Sequence, residues 1–324
     1  MNRSTFLCIL ITCLIFANFN VYSRIFTHSI PDPVYALPID TPDEPEDIPE
    51  EPSQNVLPEG YQTLSATTAD TKSGSLILVN ITHPFTFDNT PTLFSCGENV
   101  SVYGAKSKNY SVKDTTVLMN TEAITALNAM LDDFCAHQNG KRSMIVLEGL
   151  RTYEKQQEIL EQKIAELGEN QTIAQQPGYS EHHTGLALDL DLYIDGIIST
   201  LTAEGDYIWL FENAHKYGYV LRYLAGKESI TGISYESWHF RYVGVPHAEY
   251  MYKNGLTLEE YADRLALYPF ESAHLPITTE DGTSYEVYSV PVVADGTPVP
   301  VPSDNTTYTL SGDNNGHVIV TVRH

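Results

Sequence analysis

Two short stretches carry the most information about this chain: SEHHTGLALD at residues 180–189 and ESWH at residues 236–239. Together they supply imidazoles at His182 and His239 and carboxylates at Asp189 and Glu236. A hydrolytic zinc site needs three protein ligands with nitrogen and oxygen donors, a fourth position open to water, and a general base near that water. The two stretches therefore predict a zinc hydrolase centre.

The first stretch is weak evidence by itself, because two polar residues seven positions apart can be unrelated. Gly185 and Ala187 are small residues where a turn must enter a strand without crowding a metal. Asp189 and Asp191 alternate with apolar residues, so both side chains point to one face of that strand. A bound cation is one explanation, and a solvated edge strand is the other.

The second stretch places a base and a third ligand close together. Glu236 and His239 are three residues apart and can converge from one turn. Glu236 would accept the proton of the water and deliver it to a leaving amine, and Trp238 would shield the site. The alternative is a Trp-His pair packed in the core with Glu236 exposed.

The two motifs in this order, Ser-x-His-x-x-Gly-x-Ala-x-Asp and then Glu-x-Trp-His, closely resemble the VanY-type zinc D-alanyl-D-alanine carboxypeptidases, which trim bacterial peptidoglycan. The likeness covers roughly residues 76–267. It implies zinc (Zn2+) as the cofactor. It also implies that His182, Asp189 and His239 are the metal ligands, and that Glu236 is the catalytic base.

The same resemblance implies a substrate site. The segment GLRTYEKQ at residues 149–156 is similar to the family segment whose Arg and Gln line that site. Arg151 is thereby assigned to the anionic end of the substrate or to the oxyanion of the tetrahedral intermediate, because a planar bidentate donor suits a carboxylate. Gln156 and Ser180 are assigned to substrate binding. The alternative for Arg151 is a surface residue at the start of a helix.

Three positions depart from the family pattern. His183 stands where an uncharged polar residue is expected, Ser237 stands where Pro is usual, and Leu224 follows Arg222-Tyr223 where Pro is common. None of them removes a ligand or the base. His183 is adjacent to His182 and competes with it as a ligand, but neighbouring side chains diverge on a turn, so only one of the two can face the metal.

Helical and strand patterns alternate irregularly along the chain, which indicates an α+β fold. We expect a small antiparallel sheet flanked by helices, of the hedgehog/DD-peptidase-like kind, followed by a small β C-terminal appendage. Helices are predicted at residues 121–137, 153–167 and 202–217, and strands at 143–147, 187–193, 219–223 and 239–243. Thr257 and Glu260 predict a capping box at a further helix.

Four regions are predicted. Residues 1–23 contain an apolar run of signal-peptide length, which is either cleaved or kept as a membrane anchor. Residues 24–72 are a spacer rich in Pro and acidic residues. The zinc carboxypeptidase domain follows at residues 73–268, and the β appendage at 269–324.

The charge excludes one class of partner. The chain has 42 acidic and 18 basic residues and a net charge of -24, whereas nucleic acid binding needs clustered Lys and Arg. Contact with a membrane is expected only through the N-terminal anchor. Export predicts an extracellular or cell-surface location at the bacterial cell wall. Cys96 and Cys135 either form a disulfide or are two buried thiols; the oligomeric state is not specified.

The predicted activity is removal of the terminal D-alanine from a peptidoglycan stem peptide. An L,D-carboxypeptidase acting on tetrapeptide stems is the alternative within the enzyme class, because the metal-site residues do not separate the two reactions. A dipeptidase that takes free D-Ala-D-Ala is a weaker alternative. From another class, a non-catalytic cell-wall-binding protein on the same fold would be expected to lack a ligand or the base, and all four are present.

Overall fold

The computed structural model describes residues 57–87, 90, 92–94, 97–304 and 306–324. The predicted leader, most of the predicted spacer and Cys96 therefore lie outside the described residues. Cys135 is buried and forms no disulfide with any described residue. No helix among the described residues is long and apolar enough to cross a membrane.

The elements mix helices and strands as expected for an α+β fold. The strands are β1 Tyr61–Ala66, β2 Asn99–Ser101, β3 Ser111–Val112, β4 Leu118–Asn120, β5 Met144–Glu148, β6 Ala187–Ile194, β7 Ile197–Ser199, β8 Tyr219–Leu221, β9 His239–Tyr242, β10 Leu275–Thr278, β11 Ser284–Pro291, β12 Thr297–Pro302, β13 Thr307–Gly312 and β14 His317–Arg323. The α-helices are α1 Val102–Ala105, α2 Thr121–His137, α3 Tyr153–Leu167, α4 Ile208–Asn213, α5 Glu228–Thr231, α6 Val245–Asn254 and α7 Leu258–Leu265.

The central sheet has the strand order β3-β5-β6-β9-β8, and β7 pairs with the outer part of β6. Only β3 and β5 are parallel, and the other pairs are antiparallel. In the register of β6 with β9, Asp189 lies directly opposite His239. The sheet itself thus brings a residue of the first motif against a residue of the second.

Helix α2 covers one face of this sheet. Its apolar positions recur at helical spacing, and Ile124, Leu127, Leu131 and Phe134 are all buried in one core with strands β5, β6 and β9. Its N-cap is Asn120, whose side chain accepts a hydrogen bond from the amide of Glu122 at 2.9 Å. The cap lies immediately before the predicted start of the helix at residue 121.

The predicted helix at residues 202–217 is shorter and interrupted. A 3-10 turn at Gly205–Tyr207 leads into α4, and a second 3-10 helix, Ala214–Tyr217, follows it. Gly218 ends the segment with a φ of 83°, in the left-handed region that favours glycine. The predicted capping box at the start of α7 is confirmed, with both hydrogen bonds formed between Thr257 and Glu260.

The β appendage is also present. Its four strands are arranged β10-β11-β14-β13, all antiparallel. Leu275, Val287 and Ile319 of this sheet share a buried core with Leu258 and Leu265 of α7. The appendage therefore packs against α7, the helix that precedes it in sequence. Its predicted boundary at residue 269 stays a prediction.

One part of the predicted spacer is wrong. Strand β1, Tyr61–Ala66, lies within the range 24–72 and pairs antiparallel with β12 along its full length. Ala66 is fully buried, in a core shared with Val299 and Val301. Prolines dominate the sequence before residue 60, but the YQTLSA stretch has none, so it can form a regular ladder of hydrogen bonds.

Candidate active site

A short 3-10 helix, Glu181–Thr184, carries the histidine of the first motif. Gly185 ends this helix at a φ of 72°, where a side chain would also collide with Asn99. The chain then enters β6 and reaches Asp189, while His239 opens β9. The glycine is thus required by both the turn and the close approach.

Three possible ligand atoms converge at this point. His182 Nε2 and His239 Nδ1 each lie 3.3 Å from Oδ1 of Asp189. The ligand atoms of the three residues all lie within 4.8 Å of one another. Both imidazoles are buried and meet edge to face, with ring centroids 4.8 Å apart.

The other nitrogen of each imidazole is already engaged. His182 Nδ1 lies 2.7 Å from the carbonyl oxygen of Gly149, and because a carbonyl only accepts, this nitrogen carries the proton. His239 Nε2 lies 3.1 Å from Oε2 of Glu181 and donates to that carboxylate. When the two rings are neutral, these contacts leave the lone pairs on His182 Nε2 and His239 Nδ1, as metal ligation requires.

Asp189 shows that the three residues fit a cation. Its Oδ2 accepts a hydrogen bond from Arg151 Nη2 at 2.7 Å, but its Oδ1 is buried without any hydrogen-bond partner among the described residues. An unsatisfied buried carboxylate oxygen is costly. Although burial raises it, His182 and Arg151 hold the pKa of Asp189 well below its usual range, so this ligand is ionised. Two imidazole nitrogens and one carboxylate oxygen are the donor set of hydrolytic zinc sites.

Glu236 lies beside this cluster. Its side chain is 6% exposed, and its Oε2 is 3.6 Å from His239 Nδ1. Burial raises the pKa of Glu236 to about 8. A carboxyl group with a raised pKa in a buried site can both accept and return a proton near neutral pH.

Arg151 contacts Asp189, one of the three candidate metal ligands. Besides its contact with Asp189, its Nη1 lies 3.5 Å from the side-chain oxygen of Gln156, and its Nε is buried without a hydrogen bond among the described residues. Gln156 is buried and donates to the carbonyl of Gln175 at 2.8 Å. The surface alternative for Arg151 is thus wrong, because its side chain is only 12% exposed.

A cavity of about 280 Å³ opens over these residues. Arg151, Gln156 and Ser180 line it together with the three candidate ligands and Glu236. The remaining wall consists of residues from α3, from the segment after it, and from the loop that precedes β9: Ile159, Lys163, Ile173, Ala174, Gln175, Tyr223, Ile233 and Trp238. Every residue that the sequence assigned to the site therefore borders one cavity.

Comparisons with known proteins agree with this geometry. A family profile described as VanY, D-alanyl-D-alanine carboxypeptidase, matches residues 116–245. A D-alanyl-D-alanine carboxypeptidase of Enterococcus faecium is 32% identical over 264 residues, which cover 82% of this chain and 80% of that protein. The chain belongs to the VanY family of D-alanyl-D-alanine carboxypeptidases.

Two further relatives support the assignment. The bifunctional D-Ala-D-Ala dipeptidase and carboxypeptidase VanXYC of Enterococcus gallinarum is 39% identical over 132 residues, 39% of this chain and 70% of that protein. The solved structure of the D,D-dipeptidase VanXYg, in complex with a D-Ala-D-Ala phosphinate analog, superposes with a TM-score of 0.70 at 30% identity. It covers 82% of this chain and 99% of its own. The resemblance identified from the motifs is confirmed, and this VanY-family chain is an enzyme of the carboxypeptidase class.

One group that the sequence analysis missed lies directly behind the site of this VanY-family chain. Glu181 is fully buried, and its Oε1 accepts hydrogen bonds from Arg222 Nε at 2.8 Å and Arg241 Nη1 at 3.2 Å. Although burial opposes ionisation, the two guanidinium groups hold the pKa of Glu181 below its usual range. The sequence signal for this buried ion-pair network was Arg241, a cation between Phe240 and Tyr242 in a strand-like apolar run, which requires a buried carboxylate partner.

Tyr223 was also missed. It is buried, lines the cavity, and its ring lies 4.8 Å from that of His239. The guanidinium group of Arg222 also lies over this ring, with its central carbon 4.9 Å from the ring centroid. The sequence signal was weak, because an Arg-Tyr pair at a strand end is common in ordinary cores.

The departures from the family pattern have structural consequences. The hydroxyl of Ser237, where Pro is usual, donates to the carbonyl oxygen of Leu201 at 2.5 Å, so this bond anchors the turn between Glu236 and His239. His183 is buried and does not face the candidate ligands. Nothing in the structure explains Leu224.

Proposed function

We propose that this chain is a zinc-dependent D-alanyl-D-alanine carboxypeptidase that removes the terminal D-alanine from peptidoglycan stem peptides. The observation that carries the proposal is the buried Oδ1 of Asp189, which lies between two imidazole nitrogens without a hydrogen-bond partner among the described residues, with the Glu236 carboxyl beside them. The names of the relatives support the D-Ala-D-Ala specificity.

His182, Asp189 and His239 would hold the zinc ion. When bound there, zinc supplies Lewis acidity to the scissile carbonyl group and lowers the pKa of a nearby water molecule. Glu236 accepts the proton of the attacking water and passes it to the nitrogen of the departing D-alanine. Its buried position beside the ligands suits both transfers, because the group must change protonation state twice in each turnover.

Arg151 has two tasks in this proposal. Its Nη2 fixes the orientation of Asp189, so that Oδ1 points towards the imidazoles. Its Nε lies 3.6 Å from Oε2 of Glu148, and the guanidinium group as a whole lines the cavity, where it can donate to the substrate carboxylate or to the developing oxyanion. Ser180 and Gln156 complete the substrate-binding wall, Gln156 by holding the carbonyl of Gln175.

The location and organisation follow from the N-terminal sequence. We propose that residues 1–23 direct export and that a Pro-rich acidic spacer then separates them from the zinc carboxypeptidase domain. Because β1 begins at Tyr61, the spacer ends before that residue. Its length and composition suit a tether at the bacterial cell surface, where the stem peptides are located.

The test uses residues 24–324 loaded with zinc and a stem pentapeptide that ends in D-Ala-D-Ala. We expect release of D-alanine, abolished by a chelator and lowered by roughly 10² to 10⁴-fold in Glu236→Gln. The matched control is zinc content, which Glu236→Gln should retain because this residue is not a ligand. Release from the tetrapeptide alone would establish the L,D-carboxypeptidase, and cleavage of free D-Ala-D-Ala alone the dipeptidase. Zinc binding with no release from any of the three would overturn the enzymatic proposal.

A further inference from the structure

His183 makes two hydrogen bonds with the backbone of two different segments. Its Nδ1 lies 2.8 Å from the carbonyl oxygen of Arg151, and its Nε2 accepts the amide hydrogen of Gly178 at 3.0 Å. A carbonyl can only accept and an amide N–H can only donate. The imidazole is therefore neutral, with its proton on Nδ1.

The two segments form neighbouring parts of the cavity wall. Arg151 belongs to the loop between β5 and α3, and its backbone amide also donates to the carbonyl of His182 at 3.0 Å. Gly178 belongs to the segment between α3 and the 3-10 helix, in which Ile173, Ala174 and Gln175 line the cavity. His183 thus joins the loop that supplies the guanidinium group to the segment that forms the adjoining wall.

The outer side of the imidazole is covered by aromatic rings. Phe87 packs edge to face against it with centroids 4.8 Å apart, and Phe85 lies 5.9 Å away. The amide of Phe85 donates to the carbonyl of Gly178 at 2.7 Å, so the same segment is held from both sides. His183 itself is 3% exposed, so water cannot readily replace its hydrogen bonds.

We propose that His183 is a positioning residue for the reaction: it holds the backbone of Arg151 and the segment 173–178 together, and thereby sets the position of the guanidinium group relative to Asp189 and the substrate. This inference rests on the proposed function. It gives a role to one of the three positions at which the chain departs from the family pattern. A small displacement of a substrate-positioning group can cost about a hundredfold in rate.

The test compares two replacements of similar size. In His183→Gln the side-chain amide keeps a planar group with a donor and an acceptor separated by one carbon, as in the imidazole. In His183→Met neither is present. With the zinc-loaded chain and the stem pentapeptide, we expect His183→Met to lose about ten- to a hundredfold in kcat/KM at unchanged zinc content, and His183→Gln to recover most of that loss.

Amide hydrogen exchange supplies a readout that does not depend on activity. In the wild-type chain the Gly178 amide should be protected, and in His183→Met exchange should accelerate across residues 173–178 while strands β5 and β6 stay protected. An unprotected Gly178 amide in the wild type overturns the proposal even if neither variant folds, and so does equal kcat/KM in the two variants. If the wild type releases no D-alanine, the proposed function has failed. The exchange data alone still decide whether His183 holds the two segments together.

Discussion

Glu181 and His239 are 58 residues apart in sequence, yet the Glu181 carboxylate accepts the Nε2 hydrogen of His239 at 3.1 Å behind the candidate metal centre. This contact selects the imidazole nitrogen that faces Asp189. The same carboxylate accepts hydrogen bonds from the positively charged groups of Arg222 and Arg241. Arg222 in turn makes a bidentate contact with the carboxylate of Glu259. The orientation of one ligand is thereby linked to a buried charge network.

Glu181→Gln tests this link. The substitution leaves two buried guanidinium groups with one carboxylate fewer, so we expect the free energy of unfolding to fall by about 3 kcal/mol. It also weakens the acceptor for His239, so zinc affinity should fall by roughly tenfold to a hundredfold. Chemical denaturation and zinc titration measure the two effects.

The matched control for that variant is Glu259→Gln. Glu259 also binds Arg222, but it makes no contact with either candidate histidine ligand. It should lower stability while zinc affinity stays within about threefold of wild type, because Glu181, the direct acceptor of the His239 hydrogen bond, is retained. Equal zinc affinity in Glu181→Gln and the wild type would contradict the link.

Removal of the Asp189 charge should abolish zinc-dependent stabilisation. In the wild type, zinc at a hundred times its dissociation constant should add about 2.7 kcal/mol to the free energy of unfolding. Asp189→Asn removes the anionic donor, so the increase should vanish in thermal or chemical denaturation. Asp191→Asn is the control on the same strand, because Asp191 accepts from the amide of Leu201 and is not in the triad. Full stabilisation of Asp189→Asn by zinc would show that the ion binds elsewhere.

His247 predicts a loss of stability in mild acid. It is buried between the hydroxyls of Tyr261 and Thr321, at 2.7 and 3.1 Å, and burial lowers its pKa to about 3. The unfolded chain takes up this proton near pH 6.5, so the contribution of His247 is complete above that pH and is lost as the pH falls towards 3. Between pH 6.5 and 5 the loss should be about 2 kcal/mol.

Comparison with His247→Gln isolates this effect, because the other titrating groups are common to both chains. The difference in the free energy of unfolding between the wild type and the variant should shrink as the pH is lowered from 6.5 to 5. A difference that is constant with pH would mean that His247 is not held neutral. Urea denaturation at several pH values is the measurement.

The pairing of β1 with β12 predicts where the chain can be shortened. A chain that starts at residue 57 retains β1, whereas one that starts at residue 73 loses Leu64 and Ala66 from the core they share with Val299 and Val301. Loss of those buried side chains should cost at least about 2 kcal/mol. Equal denaturation midpoints for the two chains would show that the predicted boundary near residue 73 is correct after all.

The sequence by itself determined the local elements and the family. The helical spacing of apolar residues gave α2 and α3 within their observed bounds, because the pattern that buries one face of a helix is local. The two motifs likewise specified the family, because the residue types and order they share with its members lie within short stretches of chain.

Only the tertiary structure decided which groups support those residues. The contacts of Glu181 with Arg222 and Arg241 span 41 and 60 positions, and they exist because β6, β8 and β9 lie side by side. Arg151 reaches Asp189 across 38 positions because β5, which precedes it, pairs with β6. Local periodicity carries no information about strand neighbours, so the place of β1, the anchoring of Arg151 and the two backbone contacts of His183 follow from packing alone.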